Sequence, residues 1–178
     1  MSDTLAIIVD LDGTILSNSS RHAIPQDNIR EEWDNFHRLN YFYNPNKLTP
    51  IKEVIDIIES IYNGKKYFKP MVIFLTGRED TSNGLIRLNC YRFIKQNFKI
   101  FSSPYCYNRD YKLLMRKEND FRPSDKVKED FLKNEIIPNY IPILAFDDEE
   151  SNINMFKKNN ITALRVYNKE WIWEIKTI

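Results

Sequence analysis

Two carboxylates, Asp10 and Asp12, carry the strongest chemical signal in the sequence. They belong to the run DLDGT at 10–14, directly after the apolar segment Leu5–Val9. Side chains two positions apart share a face of a regular strand, whereas a turn at Gly13 would rotate Asp12 and let the two acids take different roles. Because ligands of open α/β sheets bind beyond the carboxyl ends of strands, the sequence predicts both acids at such an edge.

Two further apolar segments also end in reactive side chains. Residues 71–75 precede the run TGR at 76–78, and residues 141–146 precede the run DDEE at 147–150. If these strands are neighbours, at least four carboxylates, a hydroxyl and a guanidinium meet at one edge. Carboxylates so clustered raise one another's pKa unless a cation neutralises them. Mg²⁺, a hard ion that binds one or two carboxylates, waters and a phosphate, is the cation we expect.

This set of groups suits phosphoryl transfer, in which catalysis is mostly positioning and charge neutralisation. Asp10 is a candidate nucleophile that would form an aspartyl-phosphate. Asp12 would protonate the leaving oxygen and then activate the hydrolytic water. Thr76 and Arg78 would hold the phosphate oxygens.

The elements that must position these groups follow from hydrophobic patterning. The three apolar segments are short, rich in β-branched residues and not alternating, as is typical of buried parallel strands; 112–115 and 162–166 are weaker candidates. Helical periodicity lies in segments between them. Strands that alternate with helices predict an α/β fold with a doubly wound, Rossmann-like parallel sheet of about five strands. The predicted helices are 48–62, 85–98, 124–136 and 151–158, with Ser124 as a possible N-cap.

The polar and aromatic segment 17–46 interrupts this alternation. We interpret it as a small helical, cap-like insert over the carboxyl end of the first strand, with a long surface loop as the alternative. Since no proline- or serine-rich linker divides the sequence, residues 1–178 are predicted to form a single domain.

Composition limits the classes of function. The 26 basic and 25 acidic residues leave a net charge of +1, which excludes a strongly basic nucleic-acid coat. No apolar segment approaches the roughly 18 residues that span a bilayer, and the start of the chain does not have the pattern of a signal peptide. Cys90 and Cys106 are predicted to be reduced thiols. We therefore expect a cytoplasmic protein, in the host cytoplasm if it is viral, without a membrane partner.

The motifs at these strand ends resemble the haloacid dehalogenase (HAD) superfamily of phosphotransferases. DLDGT at 10–14 is similar to its nucleophile motif and LTGR at 75–78 to its second motif. The resemblance implies Asp10 as nucleophile, Asp12 as acid/base and Thr76 as phosphate ligand. The third motif is a lysine at the start of a helix, for which Lys128 is the first choice and Lys126 the alternative.

The fourth motif of the superfamily is matched by FDDEESNINMF at 146–156. The resemblance implies that Asp148 holds Mg²⁺, with Asp147 beside it and Asn152 one helical turn on. Whether Asp147 touches the metal directly stays open. The implied metal set is Asp10, Asp12, Asp147 and Asp148.

A narrower resemblance lies in the pattern R…DxRxxDxVK, which ends at Lys128. It is similar to the 3′-phosphatase domain of phage-type polynucleotide kinase-phosphatases. The resemblance implies that Arg21, Arg78 and Arg116 contact substrate. It also implies that Asp120, Arg122 and Asp125 organise the loop before Lys128. The full set implied to bind substrate or phosphate is Arg21, Thr76, Gly77, Arg78, Arg116 and Arg122.

The resemblance implies a Mg²⁺-dependent phosphomonoesterase that removes the 3′-phosphate from nucleic-acid ends. A small-molecule phosphatase such as a 5′-nucleotidase is the alternative. A non-catalytic nucleic-acid-binding module is a distant third, because such a module would be expected to lack Asp10, Asp12 or Asp148. The sequence has no phosphate loop of the form GxxxxGK followed by Ser or Thr. It therefore corresponds at most to the phosphatase half of those enzymes, and a separate kinase or ligase is a possible partner.

Overall fold

The computed structural model describes residues 4–17, 49–64, 69–102 and 111–167. The insert predicted at 17–46 lies outside these ranges except for Ser17. Arg21 and Cys106 also lie outside them. The described ranges contain all the other residues that the sequence assigns to the candidate site.

A central sheet of five parallel strands organises the fold, with the strand order β5-β4-β1-β6-β7. This confirms the predicted α/β class and the number of strands. Two short strands form a separate antiparallel pair next to the end of β1. The strands are β1 (Leu5–Val9), β2 (Leu16–Ser17), β3 (Thr49–Pro50), β4 (Met71–Asp80), β5 (Tyr111–Lys117), β6 (Ile141–Asp147) and β7 (Thr162–Arg165).

Helices cover both faces of the sheet, as a doubly wound fold requires. One apolar cluster joins α1 and α2 to the face that carries Val9 and Phe74. The other joins α4 and the π-helical turn to the face that carries Ile8 and Ile73. Within the described ranges, no helix is long and apolar enough to cross a membrane. The helices are α1 (Lys52–Gly64), α2 (Leu85–Asn97), α3 (Ser124–Phe131) and α4 (Glu150–Lys158), with a 3₁₀ turn at Lys99–Phe101 and a π-helical turn at Leu132–Ile136.

Strand β4 is longer than the predicted 71–75 and continues to Asp80. Its pairing with β5 shifts register between Thr76 and Glu79, so Gly77 lies in an irregularity inside the strand rather than after it. Extra residues in one strand bend it and redirect its side chains, a device common beside active sites. The helix predicted at 48–62 differs at its start: it begins only at Lys52, because Thr49 and Pro50 form β3.

The prediction of Ser124 as an N-cap is wrong. Pro123 occupies the N-cap position, and Ser124 is the first residue of α3. The Pro123 carbonyl accepts hydrogen bonds from the backbone N–H groups of Lys126 and Val127. The Ser124 hydroxyl is therefore available to the candidate site at the strand ends.

Strand β1 lies at the centre of the sheet and positions the first motif. Val9 pairs with Phe74 of β4 on one side and with Phe146 of β6 on the other. The Asp10 N–H donates to the Phe146 carbonyl at 3.0 Å, which extends the pairing by one residue. Asp10 thus leaves the sheet between the ends of its two neighbours.

Candidate active site

A buried lysine joins the ends of two neighbouring strands. Lys128 Nζ donates to Asp10 Oδ1 at 2.8 Å and to Asp147 Oδ2 at 2.7 Å. The side chain of Lys128 is 2 % exposed and that of Asp147 1 % exposed. Charges so completely removed from water require partners with good geometry, and these three groups supply them to one another.

The charges of this cluster do not cancel without a further cation. Burial raises the pKa of Asp10 well above its ordinary value; Lys128 opposes this, while the carboxylates of Asp147, Asp148 and Asp12 reinforce it. Burial would lower the pKa of Lys128, but Asp10 and Asp147 raise it above its ordinary value, so the side chain is an ammonium. One ammonium among several carboxylates leaves an excess of negative charge that favours a bound cation.

The turn after β1 leaves room for a third carboxylate, that of Asp148, which follows β6. Gly13 has a φ of +79°, and its N–H donates to the Leu16 carbonyl at 2.8 Å. A Cβ at this position would overlap the carboxylate of Asp148, so only glycine admits that side chain. Ligand oxygens of Asp10, Asp147 and Asp148 then lie within 4.8 Å of one another.

Asn152, in the first turn of α4, binds the carboxylate oxygen of Asp147 that Lys128 does not. Its Nδ2 donates to Asp147 Oδ1 at 3.0 Å and to Glu149 Oε2 at 3.1 Å, and lies 3.4 Å from Ser124 Oγ. The Glu149 N–H also donates to Asp147 Oδ1, at 3.0 Å. Among the described residues, the buried Oδ1 of Asn152 accepts no hydrogen bond.

These residues fit a hydrated hard cation. Carboxylate oxygens are the ligands that Mg²⁺ prefers, and the waters it retains donate hydrogen bonds to acceptors such as the Asn152 amide oxygen. Asp10, Asp147 and Asp148 would hold the ion. Asp12, which the resemblance placed in the metal set, is not a member of this group of carboxylates.

Asp12 instead forms a two-point ion pair with Arg78. Arg78 Nε and Nη2 donate to the two carboxylate oxygens of Asp12. Burial would lower the pKa of Arg78, but the Asp12 carboxylate outweighs it and raises that pKa above its ordinary value. The backbone N–H of Arg78 donates to Thr76 Oγ1 at 3.2 Å. Cys90, a buried free thiol, forms a hydrogen bond with the Arg78 guanidinium. The guanidinium predicted to bind phosphate is thus joined to the predicted acid/base.

Two hydroxyl groups at the site, those of Thr14 and Ser124, were not predicted from the sequence. Thr14 Oγ1 donates to Asp10 Oδ2 at 3.2 Å, so Lys128 and Thr14 together hold both carboxylate oxygens of Asp10. Ser124 Oγ would lie 3.4 Å from a Cβ on Gly77. Thr14 could have been predicted because it is the fifth residue of the DLDGT motif. For Ser124, the sequence indicated only a position at the start of a helix.

The structure distinguishes the two lysines proposed for the third motif. The side chain of Lys126 is 60 % exposed and lies near Asp125 and Glu129 on the surface of α3. Residues two apart on a helix point in nearly opposite directions, and Lys128 is the one that faces the carboxylates.

Arg116 and Arg122 secure the loop between β5 and α3. Arg116 Nη1 donates to the carbonyls of Asp120 and Arg122, at 2.9 and 2.7 Å. Arg122 pairs with Asp120 and with Asp130 on α3. Arg122 and Asp120 therefore hold this loop together, as the resemblance implied. Substrate contacts by Arg116 and Arg122 stay predictions.

The fold and site together define a class of protein. A parallel α/β sheet that sets an acid from DxDGT against a lysine and an acidic pair from the neighbouring strand is the arrangement of HAD-type phosphatases. The family described as "Polynucleotide kinase PNKP phosphatase domain" matches residues 4–171. The chain belongs to this family and is a phosphatase of the HAD type.

Solved structures support the fold. The chain resembles a chain in the "Structure of the Pnkp1/Rnl/Hen1 RNA repair complex", with 24% identity and a TM-score of 0.62 over 95% of its length. It also resembles a chain in the "Structure of Pnkp1/Rnl/Hen1 complex", with 23% identity and a TM-score of 0.63 over 93% of its length. It spans 45% and 47% of those two chains, less than half of each. None of the curated proteins matches the chain.

Proposed function

We propose that this phosphatase is a Mg²⁺-dependent phosphomonoesterase that removes the 3′-phosphate from nucleic-acid ends through an aspartyl-phosphate at Asp10. The observation that carries the chemistry is the carboxylate of Asp10, held by Lys128 and Thr14 beside Asp147 and Asp148. The family match supports the choice of substrate.

The first half of the reaction transfers the phosphoryl group to the protein. A carboxylate oxygen of Asp10 forms a bond to phosphorus while the bond from phosphorus to the 3′-oxygen breaks. Asp12 gives a proton to the leaving oxygen, so the strand departs with a free 3′-hydroxyl. Lys128 keeps Asp10 oriented and offsets the negative charge that accumulates around it.

Asp12 must hold a proton for the first half, although in the free protein it is paired with Arg78. An arriving phosphate is a second anionic partner for the same guanidinium. Sharing Arg78 weakens its hold on the Asp12 carboxylate, and repulsion from the phosphate charge favours the uncharged carboxylic acid. Substrate binding thereby favours the protonated acid that the first half needs.

The second half hydrolyses the phosphorylated aspartate. Asp12, now ionised, accepts a proton from water as the water oxygen bonds to phosphorus. The bond from Asp10 to phosphorus breaks, which restores the carboxylate and frees inorganic phosphate. When bound, Mg²⁺ supplies positive charge that neutralises the phosphate oxygens and keeps Asp10 ionised.

We further propose that a kinase or ligase acts together with this phosphatase. Support comes from the structural likeness to a chain of an RNA repair complex. We place the activity in the cytoplasm, or in the host cytoplasm for a viral protein.

A phosphate-release panel tests the proposal. The substrates are DNA and RNA with a 3′-phosphate, the same strands with a 5′-phosphate, and mononucleotides, each with Mg²⁺ and with a chelator. We expect release from the 3′-phosphorylated strands that requires the metal. Release from 5′-mononucleotides but never from 3′-phosphorylated strands would refute the substrate and leave the small-molecule alternative.

A further inference from the structure

Strand β7 ends beside the acidic pair of the site and belongs to none of the sequence motifs. Its last residue, Arg165, pairs with Asp147 in the parallel register of β6 and β7. The next residue, Val166, donates its backbone N–H to the Asp147 carbonyl at 2.9 Å. The end of this edge strand is therefore fixed next to Asp148 and Glu149, the two residues that link β6 to α4.

The side chain of Arg165 binds on both sides of this link. Its Nε donates to the backbone carbonyl of Asp148 at 3.1 Å. Its Nη1 donates to Glu150 Oε2 at 3.0 Å, and Glu150 is the first residue of α4. Because the guanidinium is planar and presents its N–H groups in a fixed geometry, it holds the peptide after Asp148 relative to the helix that follows.

The guanidinium of Arg165 also contacts an aromatic ring. Its Cζ lies 4.9 Å from the centroid of the Tyr167 ring, a cation–π contact. The Arg165 side chain is 34 % exposed and that of Glu150 70 % exposed, so their ion pair contributes little stability by itself. The combined effect of these contacts is to limit the positions that Nε can take beside the Asp148 carbonyl.

The backbone of Asp148 determines where its carboxylate lies. That carboxylate occupies the space that a Cβ on Gly13 would need, so a small backbone shift would move it against the turn after β1. Its ligand oxygen lies within 4.8 Å of those of the other two carboxylates in the predicted metal site. Lys128 binds those other two, whereas Arg165 binds the backbone of the third.

We propose that Arg165 is a positioning residue for Asp148 and thereby raises the affinity of the site for Mg²⁺. The inference rests on the proposed function and extends its metal dependence to a residue outside the four motifs. Residues that hold a metal ligand without touching the metal change metal affinity by about 10- to 100-fold when they are replaced. Arg165 contacts the ligand through its backbone, so we expect an effect at the lower end of this range.

The direction of the effect distinguishes positioning from charge. Arg165 is a positive charge close to a cation site, and repulsion alone would weaken the binding of Mg²⁺. If charge were its whole contribution, removing the side chain would lower the Kd for Mg²⁺. If the side chain positions Asp148, removing it should raise that Kd.

Calorimetric titration of the full chain with Mg²⁺, in the absence of substrate, measures the Kd. Arg165→Ala should raise it by about 10-fold. Arg165→Lys keeps the charge, but one ammonium does not reproduce the fixed contacts with Asp148 and Glu150, so it should raise the Kd as well. In activity assays, the Mg²⁺ concentration for half-maximal rate should rise with the Kd, while kcat at saturating Mg²⁺ stays near the wild-type value.

Two variants serve as controls. Lys157→Ala removes a positive charge from the exposed last turn of α4 and should leave the Kd unchanged or slightly lower. Tyr167→Phe keeps the ring beside the guanidinium and should leave the Kd at the wild-type value. Without metal, the urea midpoint of Arg165→Ala should stay close to that of the wild type, because the ion pair it removes is largely exposed.

A Kd for Mg²⁺ in Arg165→Ala equal to or below the wild-type value would overturn the inference. An equal rise in Lys157→Ala would do the same, because the effect would then not depend on the contacts of Arg165. The failure of the proposed substrate looks different: the wild type would bind Mg²⁺ but release no phosphate from 3′-phosphorylated strands, and the titrations would still decide the role of Arg165. A wild type that bound no Mg²⁺ would overturn the metal dependence and this inference together.

Discussion

Lys128 Nζ lies 2.8 Å from Asp10 Oδ1, so two residues 118 positions apart in the chain form a buried ion pair. The same ammonium reaches Asp147 on the next strand. Asp10 and Asp147 therefore share one counterion, and a substitution at any of these three residues changes the electrostatic environment of the other two.

Replacing Lys128 with Met should lower the free energy of unfolding by about 3–5 kcal/mol, because two buried carboxylates lose their counterion. Urea unfolding without metal measures this. Saturating Mg²⁺ should restore more stability to the variant than it adds to the wild type. Lys126→Met, on the exposed face of the same helix, is the control and should stay within about 0.5 kcal/mol of wild type. Equal effects of the two substitutions would contradict the assignment of Lys128.

Replacing Asp10 with Asn should reduce phosphate release by at least about 10³-fold, because an amide cannot serve as the nucleophile. The amide oxygen still accepts the hydrogen bond from Lys128, so the fold should survive. Steady-state assays give the activity, and circular dichroism checks the fold. A folded variant that keeps more than about 1% of the activity would exclude Asp10 as nucleophile.

Replacing Gly13 with Ala should cost about 1–2 kcal/mol of stability, because alanine is strained at a φ of +79°. The added Cβ also displaces the Asp148 carboxylate, so the Kd for Mg²⁺ should rise by about 10-fold or more. Calorimetric titration measures the Kd. Gly64→Ala, with open space around its Cβ position, should leave Mg²⁺ affinity unchanged. Unaltered affinity in Gly13→Ala would separate Asp148 from the metal site.

Replacing Arg78 with Lys should reduce kcat/KM by about 10²-fold, because a single ammonium cannot bind the two oxygens of Asp12 and an arriving phosphate through separate N–H groups, as the planar guanidinium can. Arg87→Lys is the matched control: Arg87 makes the same two-point contact with Asp80, at 2.9 and 2.7 Å. That pair is not part of the site, so its loss should leave kcat/KM near the wild-type value. Comparable losses in both variants would argue against a special role for the pairing of Asp12 with Arg78.

Stability should depend on pH through Asp120, whose pKa falls from its ordinary 3.8 to about 2 in the folded protein. A depressed pKa stabilises the fold fully above the unfolded value, and this stabilisation is lost as pH falls from about 4 to about 2. Asp120→Asn should remove this part of the dependence, measured as the urea midpoint at several pH values. Salt should weaken the effect in the wild type, since the pair with Arg122 is near the surface. Parallel pH curves for the two proteins would contradict the role of Asp120.

Sequence patterning predicted the elements of this site better than its internal pairings. Apolar segments that end in DLDGT and DDEE identify neighbouring strand ends, because parallel strands place their carboxyl ends together. The pairing of Arg78 with Asp12 could not be foreseen, since it depends on the register shift in β4 that redirects the TGR run. The choice between Lys126 and Lys128 depends on where α3 begins, and Pro123 sets that point by occupying the N-cap.

The central position of β1 has a consequence for how the protein is made. Strand β1 leaves the ribosome before its neighbours and must wait for β6, some 130 residues later in the chain, before Asp10 lies beside Asp147 and Asp148. Contacts between such distant segments form slowly, because a long loop must close first. A nascent or truncated chain that ends before β6 would therefore carry the nucleophile motif without catalytic competence, and activity would appear only late in synthesis.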